Sequence, residues 1–312
     1  GSHLSSGLWN SVCFLICLLK LLGIICKMVE VVDNNGIDRE VRAFKPTHVI
    51  IEAFWVVPAK FDVLKKLYPH ITWMVRDHSE TPFLANEGSA FGMVAGYLQR
   101  GVELIVNAPG AFTDMEAYAT SLGYGGLVSY GPNYYPVHEP ADWRHLKPHP
   151  KRADDTVKVG CFGAIRPLKN HAVQAVAAIR YAAHLGKKLE FHVNATRIEG
   201  GGNPILNNLR AMFAATPRAK LVEHGWVNHP EFLELLREID ILLQVSFSET
   251  FNIVSADGVA ASCPVVVSKE VPWLQPYAVA VANDSTSILN RMLQINTQPP
   301  AARLAWQWRD LT

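Results

Sequence analysis

Apolar runs of strand length alternate with stretches of helical length through most of the chain. In the first half the runs are Val29–Asp33, His48–Ala53, Ile71–Arg76, Glu103–Asn107 and Gly126–Tyr130, and helical material such as Pro58–Tyr68 and Phe112–Leu122 separates some of them. Strand–helix alternation of this kind is the signature of a parallel α/β sheet. From Tyr130 to Asp155 the pattern stops. Proline, polar and basic residues replace apolar periodicity there, which marks a linker. The alternation restarts at Thr156, with strands expected at Val157–Phe162, Leu189–Val193, Ala219–Glu223, Asp240–Val245, Val265–Val267 and Ala278–Val281. Helices fit His171–Leu185, Pro204–Ala215, Pro230–Ile239, Asn252–Ala261 and about Thr286–Gln294. Two α/β domains facing a cleft are therefore expected, the first over 1–152 with the linker and the second over 153–289.

The start of the chain departs from this rhythm. Gly1-Ser2-His3 looks like a scar of tag cleavage and is set aside. Ser5-Ser6-Gly7 reads as the end of a glycine-rich loop, so the first domain is expected to be truncated at its N-terminus, with its first strand missing or cut short. Val12–Cys26 is apolar but interrupted by Lys20, and it falls short of the roughly 20 residues that a spanning helix needs. No integral membrane span is expected. A buried first helix is the preferred reading; a membrane-associated segment is the alternative, because the apolar residues do not keep to one face.

Composition narrows the classes further. With 312 residues, 49% hydrophobic and 18% charged, the chain is globular rather than disordered. A formal net charge of +1 gives no global pull toward nucleic acid or acidic membranes. Cys13, Cys17, Cys26, Cys161 and Cys263 make an odd count without CxxC pairs or Cys/His clusters. That argues against a disulfide framework or a metal site and for a reducing, cytoplasmic compartment.

The chemistry is densest in Gln244–Ser268. Strand-like Asp240–Val245 leads through a loop to a helix of small residues, and Pro264–Val267 closes a βαβ unit. Ser248 and Thr250 are candidate N-caps. Glu249 falls in the loop, and Asp257 falls about two turns into the helix among Val254, Ala256, Gly258, Val259 and Ala260. An unpartnered carboxylate in such company is costly, so Asp257 requires a polar partner from the protein or from a ligand. A helix N-terminus with backbone donors suits a diphosphate, and nearby carboxylates suit sugar and ribose hydroxyls.

This text resembles the E-x7-E region of the large retaining (group 1) family of GT-B glycosyltransferases, typically E-G-F-G-x-x-x-x-E-A-x-x-x-G-x-P-V-V. Glu249, Thr250, Phe251, Asn252, Asp257, Gly258, Pro264, Val265 and Val266 fall on it. The chain departs by Asp at the second acid, by Thr250 and Asn252 at the loop glycines, and by Ser262-Cys263 before the proline. A second stretch, Cys161–His171 (CFGAIRPLKNH), is similar to the family's G-R-x-x-P-x-K. Gly163 and Lys169 keep the spacing, Ala164 takes the arginine position, and Arg166 stands close by.

The resemblance implies a GT-B fold of two Rossmann-like domains, with 290–312, through Trp306 and Trp308, returning to the first. It implies that Gly163 admits the donor backbone closely and that Arg166 and Lys169 neutralise the diphosphate. Glu249 would meet the donor sugar beside the backbone of Thr250, Phe251, Asn252 and Ile253, Asp257 the ribose, and Trp226 the base. His78, in the loop Arg76–Leu84, would meet the donor sugar, with Glu52, Trp55 and Glu87 as weaker acceptor-side candidates. The activity implied is transfer from a UDP- or GDP-type nucleoside diphosphate sugar, with retention and without a metal or other cofactor. The acceptor stays open among glycan, lipid, small molecule, protein and modified nucleic acid. A nucleotide-sugar epimerase or hydrolase on the same fold is one alternative. The other, to which the substituted glycines and arginine point, is a nucleotide-binding relative without catalysis.

Overall fold

The computed structural model describes residues 7–136 and 155–311. They divide into two units, Leu8–Pro136 and the described residues from 155 onward together with Gly7. The expected boundary at 152/153 and most of the linker lie outside the described residues.

The first unit runs α1 (Gly7–Leu21), α2 (Asn34–Phe44), β1 (His48–Glu52), α3 (Lys60–Leu67), β2 (Thr72–Asp77), α4 (Thr81–Leu84), α5 (Ala90–Leu98), β3 (Glu103–Val106), α6 (Pro109–Ser121) and β4 (Val128–Tyr130). Its four strands are parallel in the order β1-β2-β3-β4, with Ile51 opposite Val75 and Val75 opposite Leu104. One cluster packs Trp73 and Val75 against Phe61, Leu64 and Tyr97; a second packs Leu104 and Val106 against Val94, Leu98 and Met115.

Two expectations fail here. Val29–Asp33 is not a strand: Val29 and Val32 are exposed, and Asp33 turns the chain into α2 by accepting from the backbone N–H groups of Asn35 and Gly36. The buried helix over Val12–Cys26 also fails. The helix ends at Leu21, Ser11 is its buried residue, and the apolar residues 21, 22, 24 and 25 face solvent. Among the described residues, no helix is long and apolar enough to cross a membrane.

The second unit runs β5 (Thr156–Gly160), α7 (His171–His184), β6 (Lys188–Asn194), α8 (Asn203–Ala215), β7 (Ala219–His224), α9 (His229–Leu236), β8 (Ile241–Gln244), α10 (Ile253–Ala260), β9 (Val265–Val267), α11 (Ser285–Thr297) and α12 (Pro300–Leu311). Its sheet is parallel in the order β7-β6-β5-β8-β9. From β5 the chain builds outward through β6 and β7, then returns to place β8 on the other side of β5. The carboxyl ends of β5 and β8 therefore flank the point where the strand order reverses, the usual ligand position in open α/β sheets.

Ala278–Val281 contributes a bridge of Val267 with Val279, not a strand. The segment 290–312 groups with the second unit, where Trp308 is buried in the cluster of Leu236, Val259, Val265 and Leu274.

Candidate functional site

The loops after β5 and β8 are joined by side-chain amides. Asn170, in the left-handed region at φ 59°, donates from Nδ2 to the carbonyls of Val245 (2.9 Å) and Ala282 (2.6 Å). Gln174 accepts from the Val245 N–H at 2.8 Å and donates to the Lys169 carbonyl at 2.8 Å. Gln244 donates to the Phe162 carbonyl at 2.9 Å and accepts from Asn252 at 3.1 Å. Buried amides with all these bonds made hold the two loops rigidly.

Gly163 sits on this frame with φ 113°, its N–H donating to Asn194 Oδ1 at 2.9 Å. A β-carbon there would lie 3.7 Å from Lys169 Cε, so the bare face of the glycine looks onto the lysine side chain. Lys169 forms an ion pair and a short hydrogen bond with Glu249, whose residue is only 8% exposed. The structure thus brings together Gly163, Lys169 and Glu249, from stretches some eighty residues apart.

The helix cap differs from expectation. Asn252, with φ 54°, caps α10 by accepting from the Ser255 N–H at 2.9 Å; Ser248 and Thr250 do not. An asparagine tolerates the left-handed backbone and supplies the cap oxygen together, which suits a position where the resembling pattern has glycine. Phe251 is engaged by Trp273, whose ring stacks on it at 5.6 Å and whose Nε1 donates to its carbonyl at 2.6 Å. Ile253 opens α10.

Asp257 is 2% exposed and accepts from His229 Nε2 at 2.7 Å. The partner required of it comes from the protein. That hydrogen bond holds the His229 imidazole above its ordinary value. His229 follows Asn228, which forms a capping box with Glu231 at the start of α9. Nothing in the sequence pointed to His229, because the pairing runs between two helices.

Arg166 pairs with Glu199, its Nη1 3.5 Å from Oε2. Glu199 also takes the Arg197 Nε at 2.5 Å, and the Arg197 guanidinium lies 4.8 Å over the Trp226 ring. The loop carrying these groups is pinned to the one after β5. The Ile165 N–H donates to the Arg197 carbonyl at 2.9 Å, and the Glu199 N–H donates to the Ile165 carbonyl at 3.0 Å. Trp226, expected beside a base, thus has a cation over its face. Arg197 and Glu199 were missed because the pinning is a tertiary contact.

His171, at the first position of α7, is buried, and neither ring nitrogen has a hydrogen-bond partner among the described residues. Burial, aided by Lys169 and Arg166, pushes its imidazole down to about 3.

In the first unit, the carboxyl ends of the strands gather a polar cluster of their own. His78 Nε2 meets Glu52 Oε2 at 2.5 Å, and its Nδ1 meets the Asn107 amide nitrogen at 3.3 Å. Arg76 reaches Asn133 Oδ1 at 2.5 Å, Ser11 Oγ at 3.5 Å and Glu52 at 3.7 Å. Asp77 beside it is pushed up to about 7 by burial, with Glu87 and Glu80 adding to the rise. Trp55 is exposed.

No protein-family profile matches the sequence, and no curated protein matches it. Solved structures do resemble the fold. A UDP-forming α,α-trehalose-phosphate synthase from Burkholderia xenovorans aligns with a TM-score of 0.66 at 12% identity, over 89% of this chain and 72% of that one. A sucrose-phosphate synthase from Thermosynechococcus elongatus gives 0.58 at 16% identity, over 89% and 71%. The N-terminal domain of a trehalose-6-phosphate phosphatase from Candida albicans gives 0.68 at 10% identity, over 98% and 77%. The likeness is one of fold: the chain has the two Rossmann-like units of the GT-B fold.

Proposed function

We propose that the second unit binds a nucleoside diphosphate sugar and that the protein transfers its sugar to an acceptor, with retention. The observation that carries this reading is the meeting of Lys169 and Glu249 beside the bare face of Gly163, at the reversal point of a parallel sheet. Lys169 is placed to exchange its carboxylate partner for a diphosphate, and Glu249, released from the lysine, accepts from hydroxyls of the donor sugar. Arg166 adds charge to the same phosphates by leaving Glu199. A cation about 4 Å from the leaving diphosphate contributes roughly 4 kcal/mol at an effective dielectric near 20. The departing phosphate oxygen takes the proton of the acceptor hydroxyl, so the protein supplies positioning and charge rather than a base of its own. Asp257 contributes by holding His229 through their hydrogen bond. The solved structures of similar fold named as sugar-phosphate synthases, one of them UDP-forming, support this reading by analogy.

A second reading is favoured by two observations: Lys169, Glu249 and Asp257 are already paired within the protein, and one similar structure is a domain of a protein named for a phosphatase. On that reading the site binds a nucleotide without turnover. Calorimetric titration with UDP and GDP, followed by turnover of UDP-glucose with and without mixed sugar acceptors, separates the two. Transfer that falls about tenfold or more in Glu249→Gln, near 1.4 kcal/mol, supports catalysis. Binding without any turnover supports the second reading, and no binding of either nucleotide defeats both. Release of free sugar without an acceptor identifies a hydrolase instead.

A further inference from the structure

The exposed apolar residues of the first unit concentrate where α1 ends. Leu21, Leu22, Ile24 and Ile25 are 78%, 66%, 48% and 89% exposed, and Gly23, at φ 75°, folds them into one short turn. The helix behind them points its one buried side chain, Ser11, at Asn133 and Arg76, and so leaves its aliphatic residues half-covered or outward. Lys20 precedes the turn and is exposed; Lys27 follows it, 3.2 Å from Glu40. A run of consecutive aliphatic side chains this exposed normally marks an interaction site.

We propose that the turn 21–25 docks on an anionic lipid surface, inserting Leu21, Leu22, Ile24 and Ile25 among the acyl chains while Lys20 and Lys27 stay at the level of the lipid phosphates. Two features select this occupant. The first is charge: exposed Lys20 stands at one end of the apolar turn and Lys27, half-exposed in a surface pair it can exchange, at the other, and a long lysine stem lets the ammonium reach headgroup phosphates while the turn is immersed. The second is shape. The side chains stand in sequence around a tight turn rather than side by side on a face, so they project, and a fluid acyl boundary accommodates a projection without a matching pocket. With no helix of spanning length among the described residues, this attachment is to a surface. The inference is independent of the sugar-transfer reading.

The test is flotation of the full chain with vesicles of phosphatidylcholine alone and of phosphatidylcholine mixed with phosphatidylglycerol. The expected result is flotation with the mixed vesicles, reduced about tenfold or more in Leu22→Asp/Ile25→Asp and lowered in Lys20→Gln. These positions face solvent, and circular dichroism checks that each variant keeps its fold; Ile25→Asp alone serves if the double variant does not. No flotation of the unaltered chain overturns the proposal, as does equal flotation of the folded aspartate variants. Oligomers that the aspartates dissolve, seen by sedimentation without vesicle binding, overturn it in favour of a protein contact.

Discussion

His229 Nε2 donates to Asp257 Oδ1 across 2.7 Å, joining the first turn of α9 to the middle of α10. The bond raises the imidazole above its ordinary 6.5. A histidine raised in the folded state contributes stability that is complete below 6.5 and is lost as pH rises through the folded value. The melting-temperature advantage of the unaltered protein over His229→Gln should therefore be widest at about pH 6 and shrink by about pH 8. An advantage that does not change with pH would show that the pair is held by geometry and not by charge.

His171 should show the opposite sign. Its folded value of about 3 lies below its ordinary 6.5, so the unfolded chain binds the extra proton between them. Stability then falls as pH drops below 6.5, by up to about 1.4 kcal/mol per pH unit. His171→Leu removes both the titration and the two unpartnered nitrogens. In urea unfolding followed from about pH 7 to about pH 4, the variant should gain steadily on the unaltered protein. A constant difference across that range defeats the assignment.

The Lys169–Glu249 pair predicts strong coupling. Removing either partner leaves a buried charge unmatched, so Lys169→Met and Glu249→Gln should each destabilise, Lys169→Met by about 3 kcal/mol. The double variant should recover much of the loss, because no uncompensated charge remains. Nucleotide binding should not recover with it. Additive losses in denaturant unfolding would mean that the two groups do not depend on each other.

Gly202 is the tightest glycine of the second unit: a β-carbon there would collide with the Ile165 carbonyl. Gly202→Ala should force apart the backbone bonds of Ile165 with Arg197 and Glu199, costing about 2 kcal/mol or more. Because Arg166 is held from that loop, nucleotide affinity should weaken too. A variant with unchanged melting temperature and affinity would show that the loop yields freely.

Much of the fold was legible because parallel strands buried on both faces are written as unbroken apolar runs, as at Leu242 to Val245 and Val265 to Val267. Val29–Asp33, β-branched but interrupted by Glu30, is no strand, since such a run does not state whether a neighbour exists to pair with it. Asp257 was legible as a carboxylate in need of a partner, but its partner His229 was not. Lys169 and Glu249 were recognisable through spacing against a known pattern. The link of Glu199 with Arg166 depends on how two loops meet, which local sequence does not encode.

The separation of Lys169 from Glu249 along the chain has a kinetic consequence. Their meeting requires β5, β6, β7 and β8 to be laid down and β8 to cross back beside β5. Such high contact order places completion of the site late in folding, after slow long-range pairing. A nucleotide that binds there recognises only molecules that have finished. It would act as a trap for the completed sheet, slowing unfolding while leaving the early rate of collapse untouched.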